Sequence, residues 1–491
     1  MLRQLLSSTS QNMLQLIEYL LNNKETYLLE LAQNLSISVS ALKNYIDEIN
    51  HEFAFLEVTI DSYSLVHLRW CDFASRVDVY SHFLTYSPAF QLLELLFSSN
   101  FSSYDMLASE LNLSKSSIIR LIKKINQALE PYDFYIAKKP IQLTGNEENI
   151  RQFYLVFFLE KYQHELITAN KNQEQEFLKI AHIMAEATPL KTYFSDVRKI
   201  AFVLYIHTKR DRFCQAETSL DHIEYFLEKI DFSDLTGYNQ SQIEKIIGYT
   251  TSHIGEDPQT FREIKKEFLF LTEKIFATYN YQEEGFADKL DAVVFSYLLS
   301  VNMHVPYCIL DDRLSRFVNN CSYAKKEINK GIRQILLQSK LALARPSTLN
   351  YLLYVFHCSF PYFTKHVIDK HAHYKLALFY DTTIDHTAYI QSKIQQFIPY
   401  QIDMTVLNPL DSFSLPLTND SFDLIIGNIS PTSQNIPFKY TDIIIKQADI
   451  DFIIKEIQKK GIARLNNHIA SSLQEHAQFA YDAYQEFPCS T

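Results

Sequence analysis

Hydrophobic residues recur at helical spacing between residues 104 and 129, and they predict two short helices separated by a turn. The second helix has an apolar face of residues spaced three or four positions apart, Ile118, Ile122, Ile125 and Leu129. A shorter stripe precedes it, made of Tyr104, Leu107, Ala108 and Leu111. This pattern is typical of a helix-turn-helix, with Ala108 where the helices cross and Leu113 filling the turn. Short helix pairs also occur in ordinary all-α domains, so this stretch alone leaves both interpretations open.

The same pattern occurs earlier in the chain, with Leu31 in the place of Leu107, an offset of 76 residues. The matching residues of this first copy are Leu31, Ala32, Leu35, Ile37, Ser38, Ser40, Leu42, Ile46, Ile49 and Phe53. The helix before each pair repeats too, with residues 15–21 matching residues 91–97. A β-hairpin is predicted after each copy, at residues 55–68 and 134–143. An in-register repeat of helix, helix-turn-helix and hairpin predicts two winged helices.

The outer face of the second helix-turn-helix is basic, which predicts that this copy is the main DNA reader. The residues expected to contact DNA are Lys115, Ser116, Arg120, Lys123 and Lys124 on the helix, with Lys138 and Lys139 on the wing. In the first copy the corresponding face carries Asp47 and Glu48, and residues 1–68 hold three basic and eight acidic residues. Carboxylates beside phosphates weaken binding. The first copy therefore either contacts a few bases through Ser40, Lys43 and Asn44 or has only a structural role, packing against the rest of the protein.

The composition limits where a nucleic acid can bind. The 491 residues are enough for three to five domains, and the formal net charge of −11 excludes a generally basic coat for nucleic acid, so a DNA contact must be local. Six scattered cysteines without a Cys-x-x-Cys pair predict reduced thiols in a cytoplasmic protein. The sequence shows neither a signal peptide nor an apolar run long enough for a membrane.

Residues 153–372 are predicted to be almost entirely helical, and we divide them near Asp257-Pro258. The predicted helices are 153–167, 176–187, 197–207, 220–230, 242–254, 262–279, 286–303, 313–319, 324–344 and 347–360. Four histidines recur in two pairs of similar spacing, His207 with His304 and His253 with His357. Imidazole is a nucleophile near neutral pH that can carry a phosphoryl group, so the four are candidates for the histidine phosphorylation that the family resemblance described below implies. The alternative interpretation is that each is a core or capping histidine.

After residue 372 strands alternate with helices, which predicts a small, largely parallel α/β domain. The predicted strands are residues 374–380, 402–407, 422–426 and 442–446. The predicted helices are residues 387–398, 450–460 and 462–484, with a loop at 381–386. Asp381 at the end of the first strand is a weaker candidate for a receiver-like aspartate.

A family resemblance begins where the second wing ends. Gly145, Glu147, Ile150 and Arg151 match a Gly-x-Glu-x-x-Ile-Arg junction that leads into a helical region, as in bacterial regulators with phosphotransferase-system regulatory domains (PRDs). The whole architecture resembles the global virulence regulators of the Mga, RofA and AtxA type from Gram-positive bacteria. The α/β tail looks like their EIIB-like domain, but residues 380–383 hold no cysteine where a catalytic EIIB carries one. This difference favours dimerisation or partner docking over phosphocysteine chemistry.

The resemblance implies a transcription regulator, usually an activator of surface adhesin and virulence genes. It also implies that histidine phosphorylation by the sugar phosphotransferase system, through HPr or EIIB, adjusts oligomerisation and activity. Promoter double-stranded DNA and a second copy of the chain are the other expected partners, and we expect no cofactor, metal or enzymatic activity. Two alternatives stay open at this point, an RNA antiterminator with the same regulatory domains and a phosphotransfer enzyme component. No P-loop, dinucleotide-binding loop or His-Glu-x-x-His motif supports the enzyme.

The predicted fold class is a mainly α multidomain protein. Its predicted domains are a first winged helix (1–69), a second winged helix (70–146), two helical PRD-like bundles (147–257 and 258–372) and an EIIB-like α/β domain (373–491).

Overall fold

The computed structural model describes residues 2–23, 25–71, 73–162, 171–186, 194–210, 258–301, 308–339, 341, 346–408, 422–431 and 436–486. They fall into two compact units. The first comprises Met1–Glu263 and Asp291–Arg313, and the second comprises Ile264–Leu290 and Leu314–Thr491. These units are coarser than the five domains expected from the sequence, and residues 291–313 join the first unit although they lie within the predicted 258–372 domain. The five-domain division therefore stays a prediction.

The first winged helix follows a short 3-10 helix at Arg3–Leu5. Its elements are α1 (Ser8–Asn22), β1 (Thr26–Tyr27), α2 (Leu28–Asn34), α3 (Val39–Glu52), β2 (Leu56–Ile60) and β3 (Leu65–Trp70). The predicted hairpin is present as β2 and β3, paired antiparallel from Leu56 opposite Trp70 to Ile60 opposite Val66. The two-residue strand β1, which the sequence pattern missed, adds a third strand beside β3.

The second winged helix repeats this order without the extra strand and with an additional helix, α4 (Arg76–Tyr86), in front of it. Its other elements are α5 (Pro88–Ser98), α6 (Tyr104–Glu110), α7 (Lys115–Leu129), β4 (Phe134–Ile136) and β5 (Leu143–Gly145). Strands β4 and β5 pair antiparallel, and an isolated bridge joins Phe101 to Ile141. In place of β1, this bridge fastens the segment before α6 to the wing.

In the described part of the chain up to residue 210, the helices that follow are α8 (Glu147–Lys161), α9 (Lys171–Glu186) and α10 (Phe194–Arg210). Helix α8 is buried on nearly every side, because it packs against α4 on one side and α10 on another. Its aromatic side chains join the winged helices and these helices into one core, with Phe153, Tyr154, Phe157 and Phe158 fully buried. The predicted helices 220–230 and 242–254 lie outside the described residues.

The next helices are α11 (Pro258–Tyr279), α12 (Phe286–Val301), α13 (Arg313–Asn319), α14 (Tyr323–Leu336), α15 (Pro346–Ser359) and α16 (Phe363–Ala372). The predicted helix 324–344 is too long, because α14 ends at Leu336 and a turn follows. None of the helices in the described part of the chain is long and apolar enough to cross a membrane.

The α/β region of the second unit contains β6 (Tyr374–Phe379), α17 (Ile384–Phe397), β7 (Ile402–Val406), β8 (Leu424–Gly427), β9 (Phe438–Tyr440) and α18 (Gln447–Glu486). The sheet order is β7-β6-β8-β9 and every pair is parallel, as predicted. Two details of the prediction are wrong. The last strand is not residues 442–446, and the two closing helices are one continuous helix.

Both corrections have a physical cause. Phe438 to Tyr440 pair with Ile425 to Gly427 of β8, whereas Ile443 and Ile444 further on are exposed. Gly461 lies inside α18 without ending it, and a neighbouring helix packs closely at this point: an added Cβ would lie 3.2 Å from Ile368 Cδ1. Its role is to leave space for α16.

Candidate nucleic-acid interface

The two helix-turn-helix segments have the same turn geometry. In each copy, the residue two positions before the N-cap of the second helix has a left-handed backbone conformation. These residues are Ser36, with φ 56°, and Asn112, with φ 52°. The backbone N–H of Ile37 donates to Ala32, and in the second copy Leu113 donates to Ala108 at 2.9 Å. The side chain of Leu113 is half-buried against the core, as expected of a residue that fills the turn, and the backbone hydrogen bond is the same in both copies.

The second helix of each pair begins at the same kind of cap. Ser38 accepts a hydrogen bond from the N–H of Ala41, and Ser114 accepts one from Ser117. A serine at this position satisfies an N–H group that the first turn of a helix leaves without a partner. Because the caps fix where α3 and α7 begin, they also fix which side chains each helix presents outward.

An asparagine near the end of each second helix fastens the wing to it. The amide of Asn126 donates to the carbonyl of Ile136 at 3.0 Å and accepts from the N–H of Ile136 at 2.7 Å. Asn50 does the same to Val58, at 2.8 and 2.7 Å. Our sequence analysis missed this pair, although its signal was present: both asparagines follow the same 76-residue offset as the apolar residues.

The outward face of α7 is the candidate DNA-binding surface, which we call the recognition face, made of Lys115, Ser116, Ile119, Arg120 and Lys123. All five side chains are exposed. Lys115 Nζ lies 2.8 Å from Asp105 Oδ2, but these side chains are 54% and 68% exposed. An exposed pair of this kind contributes little and exchanges readily for a phosphate.

The predicted solvent-facing position of Lys124 is wrong. Its ammonium donates to the backbone carbonyls of Leu5 at 3.3 Å and Leu6 at 2.9 Å. The side chain is half-buried, and burial lowers the pKa of this ammonium. The helical spacing was read correctly, but the segment that covers this edge of α7 comes from residues 2–6, which no periodicity in α7 can reveal.

The other predicted contacts lie at the surface. Lys138 and Lys139 are exposed in the wing of the second copy. In the first copy the exposed residues on α3 include Ser40, Lys43, Asn44, Asp47 and Glu48. The recognition face therefore carries three cations, while its counterpart carries one cation, Lys43, and one carboxylate, Asp47.

The Gly-x-Glu-x-x-Ile-Arg junction has a structural basis. Gly145 has φ 136°, and an added Cβ would collide with the carbonyl oxygen of Asp133, so only glycine fits where the wing ends. Glu147 binds the buried Arg151 at 3.0 Å and the buried Arg210 at 2.7 and 2.8 Å. Arg210 also donates to the carbonyl of Phe97. The motif thus joins α8 and α10 to the second winged helix.

Two of the four candidate histidines are described, and both are buried. His207 Nδ1 accepts a hydrogen bond of 2.7 Å from Arg151 Nη1, and only 3% of His207 is exposed. His357 Nε2 lies 2.6 Å from the side-chain oxygen of Asn329, and burial lowers the pKa of His357 to about 3. Both imidazoles are therefore buried and hydrogen-bonded to neighbouring side chains. His253 and His304 lie outside the described residues.

Asp381 lies at the carboxyl end of β6, where it is exposed. Its carboxylate accepts a hydrogen bond from the side chain of Asn428 at 2.5 Å, and its N–H donates back to the same side chain at 3.1 Å. These bonds join the ends of β6 and β8, so Asp381 has a local structural role. Among the residues that the structure describes, no group of three or more His, Cys, Asp or Glu side chains could hold a metal ion.

Both winged helices match models of known domain families. The Mga helix-turn-helix domain matches residues 72–158, and the M protein trans-acting positive regulator (MGA) helix-turn-helix domain matches residues 7–56. A Streptococcus pneumoniae serotype 4 protein named as a trans-acting regulator is 21% identical over 486 residues, which cover 90% of this chain and 96% of that protein.

Two Bacillus anthracis proteins are similar over shorter stretches. The capsule synthesis positive regulator AcpA is 25% identical over 200 residues, or 40% of this chain and 41% of that protein. The capsule synthesis positive regulator AcpB is 24% identical over 124 residues, or 25% of this chain and 26% of that protein.

Paired winged helices, one with an exposed basic recognition face, together with these matches define a DNA-binding transcription regulator. Within that class, the two matched Mga helix-turn-helix domains and the similarity to these regulators support a regulator of the Mga type.

Proposed function

We propose that the chain holds promoter DNA mainly through the second winged helix, with α7 in the major groove. The observation that carries this proposal is the exposure of Lys115, Arg120 and Lys123 on one helix face of a protein whose net charge is −11. Ser116 reaches bases or phosphates of the DNA, and Lys138 and Lys139 of the wing contact the sugar-phosphate backbone of the DNA. The first copy contributes at most base contacts from Ser40, Lys43 and Asn44.

A salt titration tests the proposal. The full chain is bound to promoter fragments at several salt concentrations, as wild type and as the triple variant Lys115→Gln, Arg120→Gln, Lys123→Gln. We expect weaker binding to every fragment and a salt slope smaller by about 0.9 for each lost phosphate contact. Lys330→Gln is the control, because this lysine on α14 is 69% exposed and belongs to the other unit. An unchanged slope in the triple variant contradicts the assignment.

We further propose that the regulator activates transcription and that its targets include genes for surface and virulence factors. The names of AcpA and AcpB, positive regulators of capsule synthesis, support the sign of regulation. Immunoprecipitation of the protein with its bound DNA, combined with transcript measurement in a deletion strain, tests both points. Bound promoters whose transcripts rise in the deletion strain would contradict activation.

We propose that phosphorylation by the sugar phosphotransferase system modulates this activity, with HPr or an EIIB as donor. Since His207 and His357 are buried and hydrogen-bonded, we expect His253 or His304 to accept the phosphoryl group. Labelling with phosphoenolpyruvate, enzyme I and HPr tests this in four single His→Ala variants. Loss of label in His207→Ala or His357→Ala alone would show that a buried histidine is the acceptor.

We propose that residues 373–491 hold two copies of the chain together. The support is the exposed apolar rim of the α/β region, which includes Ile384, Tyr440, Ile443 and Ile444. The substitutions Ile443→Ser and Ile444→Ser should lower the dimer fraction in sedimentation velocity. Lys365→Gln, on α16 of the same unit, is the control. Dimers as stable as the wild type in the serine variant would refute the role of this rim.

A further inference from the structure

Residues 2–6 cover one edge of the recognition helix and are fixed to it by Lys124. The Lys124 ammonium donates to the carbonyls of Leu5 and Leu6, and Leu2, Leu5 and Leu6 are at most 2% exposed. A lysine that donates to two backbone carbonyls holds the segment by charge-assisted hydrogen bonds, which are stronger than neutral ones. The position of α7 is therefore tied to that of residues 2–6.

The same segment is held on its other side by residues from far along the chain. The N–H of Leu2 donates to the carbonyl of Ile309 at 2.8 Å. Arg3 donates to the carbonyl of Leu310 through Nε at 3.1 Å and through Nη2 at 2.8 Å. The guanidinium of Arg3 also forms a two-point pair with Glu18 on α1, at 2.7 and 2.5 Å.

Residues 309–311 are in turn anchored on α8. The buried carboxylate of Glu160 accepts hydrogen bonds from the N–H groups of Ile309, Leu310 and Asp311, at 2.6, 2.9 and 3.2 Å. Burial raises the pKa of Glu160 to about 7, although these three donors favour its ionised form. A side chain that receives three consecutive backbone N–H groups fixes the course of that segment.

We propose that residues 309–311 are a positioning strap for DNA recognition, because they hold residues 2–6, which hold α7 through Lys124. The strap belongs to the same compact unit as the winged helices. This inference rests on the proposed DNA contact by the recognition face and adds residues that act without touching DNA. Arg3, Lys124 and Glu160 are the positioning residues.

The structure shows the strap docked, and its contacts disfavour a partly docked arrangement. Release leaves the Glu160 carboxylate, the Leu2 N–H and part of the Arg3 guanidinium without these partners, and a buried polar group without a partner is costly. A partly docked strap is therefore disfavoured, and any change that pulls on residues 309–311 alters the position of α7 as a whole. The first copy lacks the arrangement, because Glu48 stands exposed where Lys124 stands in the second.

The test uses the full chain with Glu160→Gln and Lys124→Gln, singly and together. We expect each single variant to bind promoter DNA about fivefold more weakly, with an unchanged salt slope because no phosphate contact is lost. The double variant should be little weaker than either single one, because both break the same path. Hydrogen exchange should rise in residues 2–6 and in α7.

The control is Glu148→Gln, also on α8, whose side chain is exposed and bonded only locally to Gln152. A salt slope that falls in Lys124→Gln would make this lysine a phosphate contact and overturn the proposal. Unchanged affinity and unchanged exchange in Lys124→Gln, which leaves the core intact, would overturn it even if Glu160→Gln failed to fold. A lower slope in Lys123→Gln tests the DNA contact separately, so the two proposals can fail independently.

Discussion

The two winged helices share their internal hydrogen bonds but differ in the charge they present outward. Each has a left-handed residue in its turn, a serine cap and an asparagine that fastens the wing. On the exposed face, Asn44 and Asp47 of the first copy correspond to Arg120 and Lys123 of the second. The comparison teaches that the hydrogen bonds of the caps, turns and wings are shared by the two copies, while the outward positions set what each copy can bind.

The largest expected effect tests whether the two cores are equivalent. Ile49 and Ile125 lie at matching positions and both are completely buried. Replacing either with Ala should lower the local free energy of unfolding by about 2–5 kcal/mol, because the removed atoms leave a cavity. Native-state hydrogen exchange of α3 and α7 measures both values. A loss confined to one copy would show that the cores are not equivalent.

The next prediction distinguishes the effect of the shared asparagine on local stability from its effect on DNA affinity. Asn50→Ala and Asn126→Ala each remove two hydrogen bonds and leave backbone groups of the wing strand without partners, so each should cost about 1–3 kcal/mol of local stability. Only Asn126→Ala should also weaken DNA binding, because its wing carries Lys138 and Lys139. Gel-shift titrations of both variants measure this difference. Equal losses of DNA affinity would mean that both wings touch DNA.

A smaller change in DNA affinity should have opposite signs in the two copies when the charge at one matching position is removed. Lys123→Gln should weaken binding and lower the salt slope by about 0.9. At the matching position, Asp47→Asn removes a charge that repels phosphate, and it should strengthen binding by about twofold, the size expected of one exposed charge. Fluorescence anisotropy with a labelled promoter fragment resolves both changes. Weaker binding of Asp47→Asn would make this carboxylate a direct base contact.

The smallest effect lies in the turns. Asparagine adopts the left-handed conformation more readily than serine, because its side chain can hydrogen-bond locally. Ser36→Gly should therefore raise local stability by about 0.5 kcal/mol, whereas Asn112→Gly should change it less. Hydrogen exchange near each turn measures the difference. If Asn112→Gly gained more than Ser36→Gly, the serine turn would be the less strained one.

Most of the fold could be predicted from local sequence patterns. Helical spacing located both helix-turn-helix pairs, and the 76-residue offset made their repetition visible. Alternation of strands and helices predicted the parallel sheet, because a helix that runs back along the sheet returns the chain to the end where the next parallel strand begins.

The errors arise where distant residues decide the local structure. The run Ile443–Ile445 has strong strand propensity, yet β8 pairs with Phe438 to Tyr440 instead. Gly461 resembles a helix end in sequence, but the approach of α16 explains it. Lys124 looked like its basic neighbours, because the carbonyls that bind it belong to residues more than a hundred positions earlier.

Ile119 gives the recognition face a property beyond charge. Its side chain is 47% exposed, between the cations of α7. In the major groove, an aliphatic group finds its apolar partner in the C5 methyl of thymine. Replacing thymine with uracil at the contacted step keeps every hydrogen-bonding edge and deletes only that methyl. The affinity of the protein for such a modified duplex, compared with its affinity for the natural one, would therefore show which base step this isoleucine contacts.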